Sequence, residues 1–132
     1  MQRQLLETTS QAVALFRSAL PRVQKEERVF VLPLDANGKV LAKPILVAVG
    51  HEDGTAAIDP GTIFREALKA GAEEIIVAHN HPSGDPTPSL ADIAATRELK
   101  DLASRLGVIF LDHLVIGSGE DAGFVSLAEF GD

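Results

Sequence analysis

The apolar positions of this chain change their period along its length, and the changes mark out alternating helices and strands. Val13, Leu15, Phe16, Ala19 and Leu20 form a helix-like stripe that stops at Pro21, which predicts an opening helix lying over the rest of the domain. Val29 to Leu34 and Val40 to Val49 read as strands, and Asp35-Ala36-Asn37-Gly38 between them carries the Asn-Gly pair that favours a tight turn, so a hairpin is expected. Pro60 suits the first position of a helix running to about Ala70, with Gly71 as its stop. Glu74-Ile75-Ile76-Val77-Ala78 is short and nearly all apolar, as a buried central strand requires. A longer helix is expected from Leu90 to Leu106, closed by Gly107, then an apolar strand from Val108 to about Ile116 and a last short strand at Phe124-Val125-Ser126. Helices alternating with strands predict a layered α/β fold.

Composition narrows the picture. At 132 residues and 45% hydrophobic, the chain is long and apolar enough for one core. No apolar stretch approaches the length of a membrane span, and the segment Met1 to Thr8 lacks the apolar centre of a signal peptide, so a cytoplasmic location is the default expectation. The absence of cysteine excludes disulfides and thiolate metal sites, leaving nitrogen and oxygen as the only metal donors. A net charge of −7 opposes general attraction to a phosphate backbone, so nucleic acid is not the favoured partner. Arg17, Arg22, Lys25 and Arg28 are the densest basic residues, but Glu26 and Glu27 interrupt them, and the group reads as a solvated helix end.

The candidate chemistry lies in His79-Asn80-His81-Pro82-Ser83-Gly84-Asp85-Pro86-Thr87-Pro88-Ser89-Leu90-Ala91-Asp92. Residues two apart in an extended segment project to one face, so His79 and His81 can present both imidazoles to one cation. The Pro- and Gly-rich stretch then turns, and Pro88-Ser89 opens the next helix with Asp92 in its first turn. Two imidazoles and a carboxylate with a fourth position left open form a catalytic zinc pattern rather than a closed structural one. Ser89 to Asp92 also fits a helix-capping box, in which the carboxylate reaches back to a backbone N–H, and the spacing alone leaves both readings standing. Hydrolysis at such a site needs a nearby carboxylate to take a proton from water and deliver it to the leaving amine.

Other polar residues carry less. His113 reads as a hydrogen-bonded core residue rather than a ligand, and Asp112 as a candidate to orient His79 or His81. His51-Glu52 lacks the second histidine of an HExxH site and reads as a surface loop. Asp85, among Pro and Gly, reads as a turn residue that can also reach substrate.

The segment from His79 to Ser89 followed by Asp92 resembles the signature of the RadC-like proteins, members of the JAMM (MPN+) metalloprotease superfamily. The resemblance extends to Asp112-His113-Leu114-Val115-Ile116-Gly117 and Phe64-Arg65-Glu66-Ala67-Leu68, and covers about residues 25 to 126. It implies an N-terminal helix over 1–24 and a RadC-like JAMM/MPN domain over 25–132, with a mixed, curved β-sheet flanked by helices in a cytidine-deaminase-like architecture. It also implies a zinc metallopeptidase acting on a peptide or isopeptide bond, with His79, His81 and Asp92 as metal ligands and Ser89 as a donor to the oxyanion. Glu27-Arg28-Val29-Phe30-Val31-Leu32-Pro33-Leu34-Asp35 is similar to the family's first-strand segment, which assigns the catalytic carboxylate to Glu27, with Glu26 as the alternate. Arg28 departs from the His that many relatives carry there. Two other functions follow from the same resemblance, a noncatalytic MPN-type scaffold and a DNA-repair-associated module. Longer relatives carry a helix-hairpin-helix region ahead of this domain, and residues 1–24 are too short for one.

Overall fold

The computed structural model describes residues 3–50, 57–119 and 122–128. The elements are helix α1 (Thr9–Ala19), strands β1 (Arg28–Leu34) and β2 (Ile45–Val49), helix α2 (Pro60–Lys69), strand β3 (Glu74–His81), helix α3 (Leu90–Leu106), and strands β4 (Ile109–Gly117) and β5 (Phe124–Ser126). The strands form one mixed sheet in the order β2-β1-β3-β4-β5, in which only β3 and β4 run parallel, joined by the α3 crossover. A mixed sheet between helices is the α/β architecture the sequence pattern predicts.

Strand alternation sorts the core into two layers. Val29, Val31, Ile75 and Val77 face α2 and α3, where they meet Ile63, Phe64, Ala67, Leu99 and Ala103. Phe30, Leu32, Leu34, Ile76, Ala78, Leu114 and Ile116 face α1 and enclose Ala12, Val13 and Phe16. The opening helix therefore covers one face of the sheet. Thr8 starts it with a reciprocal capping box to Gln11, and Ala19, expected within the apolar stripe, is exposed because the backbone turns extended at Leu20 ahead of Pro21.

Two strand boundaries differ from expectation. The hairpin turn forms where predicted, with Asp35 N donating to Lys39 O at 2.9 Å and Gly38 at φ +78°, but Val40 makes only an isolated bridge to Leu34. The chain bends through Ala42-Lys43, and regular pairing resumes at Ile45, after Pro44, which has no N–H to donate to a ladder. β3 runs three residues past Ala78, because β4 continues to pair with it as far as His81 opposite Gly117. Both histidines are thus held in the sheet rather than on the loop. Among the described residues no helix is long and apolar enough to cross a membrane. His51-Glu52 lies outside the described residues.

Candidate metal centre

His79 and His81 share the α3 face of β3 with Ile75 and Val77, so the strand aims both rings toward the first turn of α3. Asn80 between them points the other way and is fully buried. Its Oδ1 accepts from Arg28 N at 2.7 Å, and its Nδ2 donates to Gln24 Oε1 at 3.0 Å and Glu26 O at 3.2 Å. The middle residue of the HxH pattern therefore fastens the lead-in to β1 onto the end of β3. Since Val29 pairs with His79, continuing that antiparallel register sets Glu27 across from His81, and the Glu27 charge contributes to the raised pKa of His81. Glu26, the alternate carboxylate, is taken up by Arg28 at 3.3 Å.

Beyond His81 the chain folds back on itself. The His81 carbonyl accepts from Gly84 N at 3.0 Å and Ser118 N at 3.2 Å, and the His81 ring Nδ1 meets Asp85 O at 3.0 Å. A carbonyl oxygen only accepts, so Nδ1 is the donor in that bond. The Asp85 carboxylate turns inward to Thr87, accepting from its N at 3.0 Å and its Oγ1 at 2.7 Å, which lowers its pKa and fits the expected turn role.

Ser89 then caps α3. Its Oγ accepts from Asp92 N at 3.0 Å, and Asp92 Oδ2 accepts from Ser89 N at 2.9 Å. The capping box forms without excluding a metal, because the same carboxylate lies 3.2 Å from His79 Nε2 through Oδ1 and 3.2 Å from His81 Nε2 through Oδ2. The two Nε2 atoms are 3.3 Å apart. Each carboxylate oxygen thus faces one imidazole nitrogen, and the three side chains converge closely enough for a single ion to be shared among them. His79 is 1% exposed at the floor of the cluster, whereas His81 is only partly buried and Ser89 is exposed. The group His79, His81 and Asp92 can hold a metal ion.

The electrostatics agree. The Asp92 carboxylate, 3.2 Å away, raises the pKa of His81 against the opposing effect of burial, with the Asp85 carbonyl adding to it. Burial pushes the Asp92 carboxyl up, but hydrogen bonds from His79 and His81 outweigh it and hold the group well below the usual carboxylate range.

One supporting residue differs from expectation, while His113 is the hydrogen-bonded core residue the sequence predicts. Asp112 does not orient the imidazoles. Its Oδ1 accepts from His113 N at 2.7 Å and Ala128 N at 3.0 Å, and its Oδ2 from Ser126 Oγ at 2.7 Å, so it ties β4 to β5 and the segment beyond. The contact to His79 comes instead from the buried His113, whose Nε2 lies 2.9 Å from His79 Nδ1 and whose Nδ1 lies 2.8 Å from Thr96 Oγ1. Burial pushes the His113 imidazole down to about 3, and the neighbouring His79 charge acts in the same direction. Thr96 went unmarked in the sequence because a threonine in mid-helix has no local signature, although its place four residues after Asp92 puts both on one face. Arg17 is likewise not a solvated helix end: its guanidinium donates to the carbonyls of Gly117, Gly119 and Gly123 at 2.9–3.1 Å, gathering the end of β4 and the turn after it.

Comparison with known proteins matches residues 6–131 to the RadC-like JAB domain. The chain is 45% identical over 97 residues to a UPF0758 protein of Carboxydothermus hydrogenoformans, which covers 74% of this chain and 42% of that protein. It is 43% identical over 108 residues to one from Clostridium perfringens, covering 82% and 45%, and 38% identical over 109 residues to one from Methanosarcina mazei, covering 79% and 47%. The chain thus spans less than half the length of the curated relatives it matches. With a family match over almost its whole length and a His-His-Asp cluster able to hold a metal, the chain belongs to the RadC-like JAB domain family, within the JAMM (MPN+) superfamily.

Proposed function

We propose that this chain is a zinc-dependent metallohydrolase that cleaves a peptide or isopeptide bond in a peptide or protein substrate. The observation that carries the reading is the convergence of His79 Nε2, His81 Nε2 and the Asp92 carboxylate at 3.2–3.3 Å. An all-nitrogen-and-oxygen donor set of two imidazoles and one carboxylate favours zinc in a catalytic, open arrangement. What zinc supplies when bound is Lewis acidity, which polarises a carbonyl and makes water acidic enough to attack near neutral pH.

The chain's own residues do the rest. The Glu27 carboxylate takes a proton from the attacking water and returns it to the amine as the C–N bond breaks. Its charge is already felt at His81, which supports a place at the edge of the site. The Ser89 hydroxyl spends a lone pair on Asp92 N, so its own proton is free to be donated to the oxyanion that forms on the carbonyl. The net charge of −7 favours a protein or peptide over nucleic acid as substrate.

The test is metal content per chain after purification without metal-affinity resin. Wild type should carry about one zinc, lost in His79→Ala and Asp92→Ala, while Glu27→Gln keeps the metal and lowers turnover of a peptide substrate by roughly 10²–10⁴-fold. A wild-type chain that takes up no metal even with added zinc sinks the reading and leaves a noncatalytic scaffold.

A further inference from the structure

A single peptide plane lies between helix α1 and the backbone of His81. The Ser118 N–H donates to His81 O at 3.2 Å, and the carbonyl of that same peptide unit, Gly117 O, accepts from Arg17 Nη1 at 3.0 Å. A trans peptide is planar and points its C=O and N–H in opposite directions, so holding one holds the other. Arg17 also donates from Nη1 to Gly119 O at 2.9 Å and from Nη2 to Gly123 O at 3.1 Å, so one guanidinium gathers the turn after β4 from both of its sides. Those two carbonyls are tied within the turn as well, accepting from Ala122 N at 3.2 Å and Gly117 N at 3.0 Å respectively. Arginine's rigid fork of donors can serve three acceptors at fixed angles.

His81 is the member of the cluster that lacks support from both sides of the sheet. His79 lies between Val29 of β1 and Val115 of β4, but regular pairing with β1 ends there. His81, the last residue of β3, pairs with β4 alone, at Gly117. Its carbonyl is fixed by Ser118 N and by Gly84 N at 3.0 Å, so the turn after β4 supplies half of what holds it. An arginine in the last turn of a helix is suited to that helix's own terminal carbonyls, yet this one serves oxygens 100 to 106 residues away.

We propose that Arg17 is a positioning residue for His81: from α1, on the face of the sheet opposite the metal cluster, it fixes the Gly117–Ser118 peptide and with it the backbone of the more exposed imidazole ligand. The inference rests on the metal reading of the site for its purpose, whereas the clamp itself belongs to the metal-free chain. Helix α1 then has two separable roles. Ala12, Val13 and Phe16 bury the sheet face, and Arg17, the next residue, reaches the edge of the site.

Arg17→Gln removes the charge and the fork. Phe16→Leu loosens the same helix without touching the turn, since Phe16 is fully buried against Phe30 with ring centroids 6.3 Å apart. Amide hydrogen exchange by NMR on the metal-free full chain separates the clamp from general packing. In Arg17→Gln the Ser118 amide should exchange about 10-fold faster relative to Val77 in the middle of β3, as the loss of a charged hydrogen bond implies. In Phe16→Leu the two amides should shift together. Zinc affinity, by competition with a chromophoric chelator under conditions where each variant is folded, should fall about 10-fold in Arg17→Gln and hold in Phe16→Leu. A Ser118 amide that exchanges at the open-chain rate in wild type overturns the proposal without any variant having to fold. So does an Arg17→Gln chain in which Ser118 and Val77 shift in parallel, or one that binds zinc as tightly as Phe16→Leu does. Selective loss at Ser118 in Arg17→Gln, beside a wild type that takes up no zinc, upholds the clamp and overturns the metal reading instead.

Discussion

At the residue scale Ser89 is asked to do two things with one oxygen, and the two can be separated. As a cap it accepts from Asp92 N; as an oxyanion donor it gives away its own proton. Ser89→Ala loses both, lowering stability by about 0.5–2 kcal/mol and turnover by about 10²–10³-fold. Ser89→Gly should cost only a few tenths of a kcal/mol, since glycine is tolerated at this position, yet lose as much turnover as the alanine variant. Denaturant unfolding beside peptide hydrolysis separates them, and a Ser89→Gly enzyme with near-normal turnover would remove the hydroxyl from the mechanism. The convergence of His79, His81 and Asp92 was legible in the sequence for the same reason that the Ser89 cap was: a two-residue strand period and a three-residue capping spacing are local, and both fall inside residues 79–92. The partners of His113 were not, because its contacts to Thr96 and His79 join positions 17 and 34 residues apart, and no local pattern encodes a register between β3 and β4.

At the scale of elements, the loop after β3 is held against the end of β4 at one glycine. Gly117 pairs with His81, and a Cβ there would run into the Gly84 carbonyl oxygen while meeting Ala122 Cβ at 2.8 Å. The oxygen is backbone and has no rotamer to escape into. Gly117→Ala should therefore either shift the 82–89 loop or open β3 from β4, at a cost of about 1–3 kcal/mol as for other overpacked sites. Because that loop carries the Asp85 carbonyl that holds His81, zinc affinity should fall with it, whereas Gly71→Ala, with open space around its Cβ, should strain the turn but leave zinc affinity intact. Thermal melts and zinc titration of the two variants make the comparison. The sequence announced the strand end with Pro82 and Gly84 but placed it at Ala78, since histidine and asparagine are poor strand formers on their own. Parallel pairing to β4 and the full hydrogen bonding of buried Asn80 override that preference, and neither is visible before the sheet is assembled.

For the whole molecule, the site makes stability depend on pH in opposite senses with and without metal. In the metal-free chain the pKa of His81 is raised above 6.5 by Asp92, so its contribution is complete below that value and is lost as pH rises through the higher folded pKa. His113 works the other way: buried neutral, with its pKa lowered from 6.5 to about 3, it costs stability as pH falls through that interval, because the unfolded chain takes up a proton that the folded chain refuses. The lowered pKa of Asp92 adds a second acid-side loss, as its contribution, present above 3.8, disappears with further acidification. Together these three groups lower the stability of the metal-free chain both as pH rises through the raised His81 pKa and as it falls into the acid range. Metal reverses the alkaline limb. Both imidazoles must be unprotonated to coordinate, so zinc binding strengthens as pH rises through the same range and adds more stability there by mass action. Melting temperatures between pH 5 and 8.5, in chelator and in excess zinc, should therefore diverge steadily above pH 6.5, with the chelated curve falling while the zinc curve holds or climbs. Parallel curves over that range would mean that no proton on His81 is being exchanged for a metal ion, and that the three converging donors are a structural ion pair rather than a metal centre.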